Sequence, residues 1–170
     1  LIHCNALGGG FEAALSSQFL IAERGAEMGL PEVLFNLFPG MGAYNLLAQR
    51  VSPIVAERIM LSGKLYSSEE LRDIGIIDKV VDDGEGVAAV NSFIHSNRNR
   101  LNGFKSIRKV KQIANPIDYK QLMDIGDLWV DTALNISEKD IRTMSRLVRS
   151  QRKVASREGA LPVPEKTAAY

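Results

Sequence analysis

Two glutamates and a run of three glycines are the residues of this chain best suited to acid–base chemistry. Glu12 closely follows the triplet Gly8-Gly9-Gly10, and Glu32 directly follows a proline. A glycine run that opens a helix brings backbone N–H groups close to a ligand, and a carboxyl group one turn further on can contact the same ligand. Donors for an oxyanion beside carboxylates suit proton transfer next to a thioester carbonyl.

Each of these features also has an ordinary structural explanation. Three glycines can simply form a tight strand-to-helix turn, and they lack the spacing of a dinucleotide-binding loop. Glu12 lies on an otherwise apolar helix, where a solvent-exposed glutamate is the commoner case. Glu32 follows Pro31 and would suit the first turn of a helix. The order and spacing of these features together indicate a functional site more specifically than any one feature does.

Composition excludes several other classes of protein. The 170 residues are 45% hydrophobic and 24% charged with a net charge of +1, so charge does not favour nucleic acid. Cys4 is the only cysteine, which rules out a disulfide within the chain and favours a reducing, cytoplasmic location. We expect no membrane span, no metal and no other cofactor. The two histidines, His3 in a predicted buried strand and His95 on a predicted surface helix, suggest no Ser-His-Asp triad.

Periodicity and turn residues predict alternating short strands and helices, followed by a helical region. The first residue, Leu1, stands in an apolar run, so we expect the sequence to be the C-terminal part of a longer protein. A charged turn is predicted over 23–27, and a helix from Ser67 to Gly75. Strands are predicted over 1–4, 19–22 and 76–81, and further helices over 9–17, 43–50, 53–62, 86–98, 101–114, 117–135 and 138–151.

Six segments together resemble the crotonase (enoyl-CoA hydratase/isomerase) superfamily. They are residues 7–15, 21–23, 29–33, 39–42, 59–63 and 75–81. The resemblance implies an α/β fold with the ββα-spiral core of crotonase. We expect residues 1–82 to form the C-terminal part of that core, 83–151 a helical region for oligomerisation and substrate covering, and 152–170 a mobile tail.

A narrower resemblance points to one branch of the superfamily. Residues 30–44, 128–134 and 142–149 are similar to the synthases of diffusible signal factor, a cis-2-unsaturated fatty acid of bacterial cell–cell signalling. It implies dehydration of a 3-hydroxyacyl thioester on acyl carrier protein, then hydrolysis that releases the free acid. One alternative is an ordinary enoyl-CoA hydratase or isomerase. The other is a protein that only binds other proteins.

The resemblance also assigns roles to residues. Gly9 would donate an N–H to the oxyanion, while Glu12 and Glu32 would handle protons. A second oxyanion donor is expected on an earlier loop that this sequence does not contain. The substrate would also contact Gly8 and, along its acyl chain, three apolar residues: Leu7, Met41 and Trp129. The alternative for Trp129 is an ordinary core position, which we expect for its neighbours Leu122 and Leu128.

The sequence indicates binding partners less directly than it indicates the site residues. The tightest group of cations is formed by Arg108, Lys109 and Lys111. Such a cluster is usually a solvated helix face, and it could instead dock acyl carrier protein or the nucleotide of coenzyme A. The resemblance implies a homotrimer or hexamer and, for the synthases, binding by the receiver domain of a sensor kinase, for which no surface can be identified.

Overall fold

The computed structural model describes residues 1–157, with side chains up to Arg149. Five short strands alternate with helices in the first half, and helices make up the second half. The strands are β1 (Ala6–Leu7), β2 (Ile21–Glu23), β3 (Glu27–Gly29), β4 (Leu65–Ser67) and β5 (Lys79–Val81). The α-helices are α1 (Gly9–Leu15), α2 (Ala43–Ala48), α3 (Pro53–Ser62), α4 (Ser68–Asp73), α5 (Gly86–Asn97), α6 (Leu101–Ala114), α7 (Tyr119–Leu134) and α8 (Glu138–Arg157); 3₁₀ helices cover Pro31–Phe35 and Arg98–Arg100.

The strands form two small sheets. In the first, β3 lies between β1 and β4 and pairs parallel with β1 and antiparallel with β4. In the second, β2 and β5 pair parallel, with Ala22 opposite Val80. The β1–β3 pairing places Leu7 beside Gly29, so the glycine turn after β1 and the proline–glutamate segment after β3 leave the sheet side by side.

The core lies between these sheets and the first four helices. Phe11, Leu20, Met28 and Leu47 are almost completely buried there. Burying large apolar side chains away from water is the main favourable contribution to such a core. Ser68, the one fully buried hydroxyl among the described core residues, donates to two backbone carbonyl oxygens at 2.7 and 2.9 Å.

Turn and cap chemistry confirms several predicted helix boundaries. Ser52 accepts a hydrogen bond from the backbone N–H of Val55, the third residue of α3, and the helix ends at Gly63 in a left-handed conformation with φ of 58°. Ser67 and Glu70 form the predicted capping box of α4. Ser137 exchanges hydrogen bonds with Asp140 at the start of α8.

The predicted positions of the strands need correction. The strand predicted over 1–4 is reduced to a single bridge at Ile2, and the regular strand starts at Ala6. His3, predicted to be buried, is exposed because only Ile2 of this segment enters the core. The other two predicted strands begin later, as β2 and β5, since Leu20 and Ile76 are buried outside regular pairing.

Strands β3 and β4 and both 3₁₀ helices were not predicted. The end of the expected charged turn over 23–27 starts β3, and β4 precedes the capping box of α4. Strands of three residues are too short to show a periodicity, and their partners lie far away in the chain. Gly29 permits the pairing, since a Cβ there would lie 2.5 Å from the carbonyl oxygen of Lys64.

The C-terminal helices present many apolar side chains to solvent. Leu128, predicted to be a core residue, is 58% exposed on α7 because no described element packs over it. Leu122 is half-buried. Helix α8 continues past its predicted end at 151 to Arg157, and the rest of the predicted tail, 158–170, lies outside the described residues. Within residues 1–157, no helix is long and apolar enough to cross a membrane.

Candidate active site

Glu12 is buried and held by the start of the next helix. Glu12 is only 3% exposed and lies on helix α1 between core residues. Its Oε1 accepts hydrogen bonds from the backbone N–H of Met41 at 2.8 Å and of Ala43 at 3.2 Å. The N-terminal N–H groups of a helix lack helical acceptors, so this carboxylate satisfies donors of the turn and of α2.

Glu32 lies on the 3₁₀ helix that follows β3. Pro31 occupies the first position of this helix, where its missing N–H costs nothing. The carboxyl group reaches back over the glycine turn, so that a Cβ on Gly8 would lie 2.6 Å from Oε1 of Glu32. The other oxygen, Oε2, is buried and has no hydrogen-bond partner among the described atoms. It is free to bond to a ligand.

Both glutamates have a raised pKa. Burial raises the pKa of Glu32 from 4.5 to about 7, and the nearby Glu12 carboxylate adds to the increase. Burial also raises the pKa of Glu12, against the two backbone hydrogen bonds that stabilise its charged form. Because the two carboxylates repel each other, the pair tends to hold one proton near neutral pH.

The glycine turn exposes backbone beside these carboxyl groups. Gly8 has a φ of 55°, a left-handed conformation that favours glycine, and its N–H donates to the carbonyl oxygen of Gly29 at 2.9 Å. Its own carbonyl accepts the N–H groups of Phe11 and Glu12. Gly9 is the first residue of α1, where the N–H has no helical acceptor, and it can face a ligand.

One apolar pocket of about 370 Å³, here called the glutamate pocket, brings most of the predicted site residues together. Gly9, Glu12 and Glu32 line it, together with Met41 and Trp129. The remaining lining residues are Phe35, Leu37, Phe38, Pro39, Gly40, Gly126 and Met144. The size and the apolar lining suit the acyl part of a small molecule.

Two of the predicted site residues lie elsewhere. Leu7 is half-buried in β1, paired with Gly29, and is not part of the lining of the glutamate pocket within the described chain. Gly8 is buried and contributes through its contact with the carboxyl group of Glu32. The substrate contact expected at Leu7 therefore has no counterpart in this pocket.

Sequence reasoning missed the residues that shape the far wall of the pocket. Gly40 lies directly under the indole of Trp129, since a Cβ there would be 2.4 Å from Cδ1 of the ring. Met144 reaches the same pocket from α8. The pair Pro39-Gly40 predicts a bend in the chain. Its contact with Trp129 on α7 cannot be predicted from the neighbouring residues, because α7 lies some ninety positions later.

Metal binding finds no support in the described residues. No group of three or more His, Cys, Asp or Glu side chains within them is arranged to hold a metal ion. His95 is exposed on α5, as predicted.

The described chain combines a mixed α/β fold with a glycine turn, and buried Glu12 and half-buried Glu32 line one apolar pocket. The enoyl-CoA hydratase/isomerase family model matches residues 1–113. The chain belongs to this family and has the crotonase-like fold that its solved structures share.

Several relatives are hydratases or dehydratases by name. Mevalonyl-coenzyme A hydratase of Beauveria bassiana is 36% identical over 81 residues, covering 48% of this chain and 29% of the relative. Carnitinyl-CoA dehydratase of Salmonella typhi is 32% identical over 80 residues, covering 47% and 31%. The solved structure of a carnitinyl-CoA dehydratase from Mycobacterium avium 104 aligns with a TM-score of 0.57 at 31% identity, covering 78% of this chain and 51% of that one. This chain thus spans about a third of the curated relatives it matches.

Proposed function

We propose that this chain carries the acid–base half of an enzyme that interconverts 2-enoyl and 3-hydroxyacyl thioesters by adding or removing water. The observation that carries the proposal is the placement of Glu12 and Glu32 on one apolar pocket, each with a raised pKa. Carboxyl groups that change protonation near neutral pH are suited to general acid–base catalysis. The names of the relatives support coenzyme A thioesters as the substrate class.

The two carboxyl groups divide the work according to their surroundings. Hydrogen bonds from two N–H groups favour the charged form of Glu12, whereas burial and the charge of Glu12 favour the protonated form of Glu32. In hydration, ionised Glu12 removes a proton from water as its oxygen attacks C3, and protonated Glu32 delivers a proton to C2. Dehydration reverses both transfers: Glu32 takes the C2 proton and Glu12 protonates the departing hydroxyl group.

Gly9 supports the same chemistry from the backbone. Removing a proton from C2 places negative charge on the thioester oxygen, and a fixed N–H donor stabilises that charge. Gly9 lines the glutamate pocket together with both glutamates, and its N–H has no helical acceptor, which supports a donor at this position. A second donor from the rest of the enzyme would complete the oxyanion hole.

The finer assignment is that the substrate is a medium-chain 3-hydroxyacyl group on acyl carrier protein, released as a cis-2-unsaturated fatty acid. In the hydrolysis that releases the acid, a carboxylate removes a proton from water and the hydroxide adds to the thioester carbonyl. The C–S bond then breaks, and the carboxyl group returns its proton to the departing thiolate. The pocket wall formed by Trp129, Met41 and Met144 supports an apolar acyl chain, and the free Oε2 of Glu32 could bind the water. The named relatives support the coenzyme A hydratase chemistry ahead of this assignment.

Product analysis by mass spectrometry tests both levels of the proposal. The full-length protein is incubated with crotonyl-CoA and, separately, with a medium-chain 3-hydroxyacyl carrier-protein thioester. Hydrated crotonyl-CoA supports the hydratase chemistry, and free cis-2-enoic acid supports the finer assignment. Glu12→Gln and Glu32→Gln should each reduce turnover by about 100-fold or more, as loss of a general acid or base does.

Glu57→Gln is the matched control, because Glu57 is exposed on α3, away from the pocket. Unchanged turnover in Glu12→Gln or Glu32→Gln would refute the two-glutamate mechanism. Absence of any product with both substrates would leave a binding role for the parent protein.

We also propose that the helical region joins copies of the protein into a trimer. Support comes from the apolar side chains that this region exposes: Val87 and Ile94 on α5, Ile113 on α6, and Leu134 on α7. Apolar faces of this extent usually pack against another surface. Light scattering on the full-length protein measures the mass directly, and a monomer at all concentrations would contradict the assembly.

A further inference from the structure

A second pocket, which we call the basic pocket, lies where the C-terminal ends of α1 and α2 meet α6. It measures about 390 Å³. Three cationic side chains line it: Arg50, which follows α2, and Arg108 and Lys111 from α6. Neither the acid–base chemistry nor the acyl group of the glutamate pocket requires such a cluster.

Arg50 forms a fixed, buried positive charge at the floor of the basic pocket. Its side chain is 8% exposed. It donates to the carbonyl oxygens of Ser17 and Ile76 and lies 3.6 Å from the carboxylate of Asp78. These bonds hold the guanidinium in one place, and Arg has five N–H donors, so some donors remain for a ligand.

Arg108 and Lys111 add positive charge beside Arg50. They are three positions apart on α6 and therefore lie on the same face of the helix. Among the side chains that the structure describes, neither forms an ion pair, while Arg50 lies 3.6 Å from the carboxylate of Asp78. Partial burial and repulsion by Arg50 lower the pKa of Lys111, against the attraction of Asp78. An anion in the pocket would relieve this repulsion.

The lining also indicates the kind of anion. Leu15, Leu46 and Ile107 provide apolar walls, while the amides of Gln18 and Gln112 provide hydrogen-bonding groups. Inorganic phosphate would fill only a small part of a pocket of about 390 Å³. A phosphate monoester that carries a nucleoside-sized organic group would use the cations, the amides and the apolar walls together.

We propose that the basic pocket binds an organic phosphate monoester of nucleotide size, with its phosphate between Arg50, Arg108 and Lys111. The site goes beyond the proposed function, and binding of AMP to it can be tested whether or not that function holds. It lies at the C-terminal ends of α1 and α2, whereas Glu12 and its N–H donors lie toward their N-terminal ends. The same two helices therefore support both pockets.

Calorimetric titration of the full-length protein with AMP, adenosine and inorganic phosphate tests the site without an activity assay. AMP should bind at least about tenfold more tightly than adenosine, as expected for one or more charge-assisted hydrogen bonds. Arg108→Gln and Lys111→Gln should each weaken AMP binding by about tenfold. Lys109→Gln is the matched control, because Lys109 is exposed on the same helix and does not line the pocket.

Competition with acetyl-CoA then identifies the source of the phosphate. Displacement of AMP by acetyl-CoA, lost in Lys111→Gln, supports the nucleotide of coenzyme A as the occupant, whereas simultaneous binding supports a separate nucleotide. Equal binding of AMP and adenosine, or equal weakening by Lys109→Gln and Lys111→Gln, would overturn the site. Circular dichroism of each variant confirms that it is folded.

Discussion

Replacing Glu32 by glutamine should make the protein more stable above neutral pH while it removes activity. The buried carboxyl group of Glu32 has a pKa of about 7, against 4.5 for an ordinary glutamate. The folded protein therefore holds this proton more tightly than the unfolded chain does. The stability that comes from this proton is fully present below about pH 4.5 and is lost as the pH rises through about 7.

The magnitude follows from the two pKa values. At about 1.36 kcal/mol per pKa unit, the difference corresponds to a loss of about 3 kcal/mol in the free energy of unfolding by pH 8. Glutamine has nearly the same shape and no proton to lose. The stability gained by Glu32→Gln should therefore grow from near zero at about pH 4.5 to about 3 kcal/mol at about pH 8.

Urea unfolding of both proteins across this pH range measures the effect. Circular dichroism follows the whole fold, and fluorescence follows the single tryptophan, Trp129, which lines the glutamate pocket. Glu57→Gln, an exposed substitution, measures what removal of a glutamate charge does in general. A stability difference between Glu32→Gln and the parent that stays constant with pH would refute the reasoning about the buried carboxyl group.

Three further substitutions test the packing of the site and the core. Gly8→Ala should lower the free energy of unfolding by about 1–2 kcal/mol, because φ is 55° at Gly8 and the new methyl group would meet the carboxyl oxygen of Glu32. Gly10→Ala is the control: a methyl group there has open space, so stability should stay unchanged or improve. Equal losses of thermal stability in the two variants would contradict this explanation. Gly40→Ala should displace the indole of Trp129 and shift its emission maximum, and an unchanged spectrum would argue against the contact. Ser68→Ala should lower the free energy of unfolding by about 1–3 kcal/mol, measured by urea titration, because two buried carbonyl groups lose their donor.

Local signals in the sequence predicted the helices better than the sheets. Ser52 with Pro53, Gly63 and the capping box at Ser67 act through neighbouring residues, so the boundaries of α3 and α4 could be predicted. Strands β3 and β4 have three residues each and depend on partners that are distant in sequence. Their formation is decided by pairing, which no short window of sequence displays.

The same distinction applies to the glutamate pocket. Both glutamates and Gly9 stand in recognisable local patterns, and the structure places all three on one pocket. The contact between Gly40 and Trp129 results from packing of α7 on a distant turn, and it could not be read from either segment alone. The exposure of Leu128 likewise depends on what packs on α7 rather than on the apolar character of the residue.

The hydrogen bond from Met41 to Glu12 links the wall of the glutamate pocket to the proposed proton transfer. Met41 contributes its side chain to the pocket wall, and its N–H donates to the carboxylate of Glu12, which in the proposed mechanism exchanges a proton with water. A protonated carboxyl group is a weaker acceptor than a carboxylate, so the segment that carries Met41 is held less firmly whenever Glu12 carries the proton. The pocket wall would therefore be held firmly while Glu12 is ionised and less firmly while Glu12 is protonated, so its rigidity would change during each catalytic cycle.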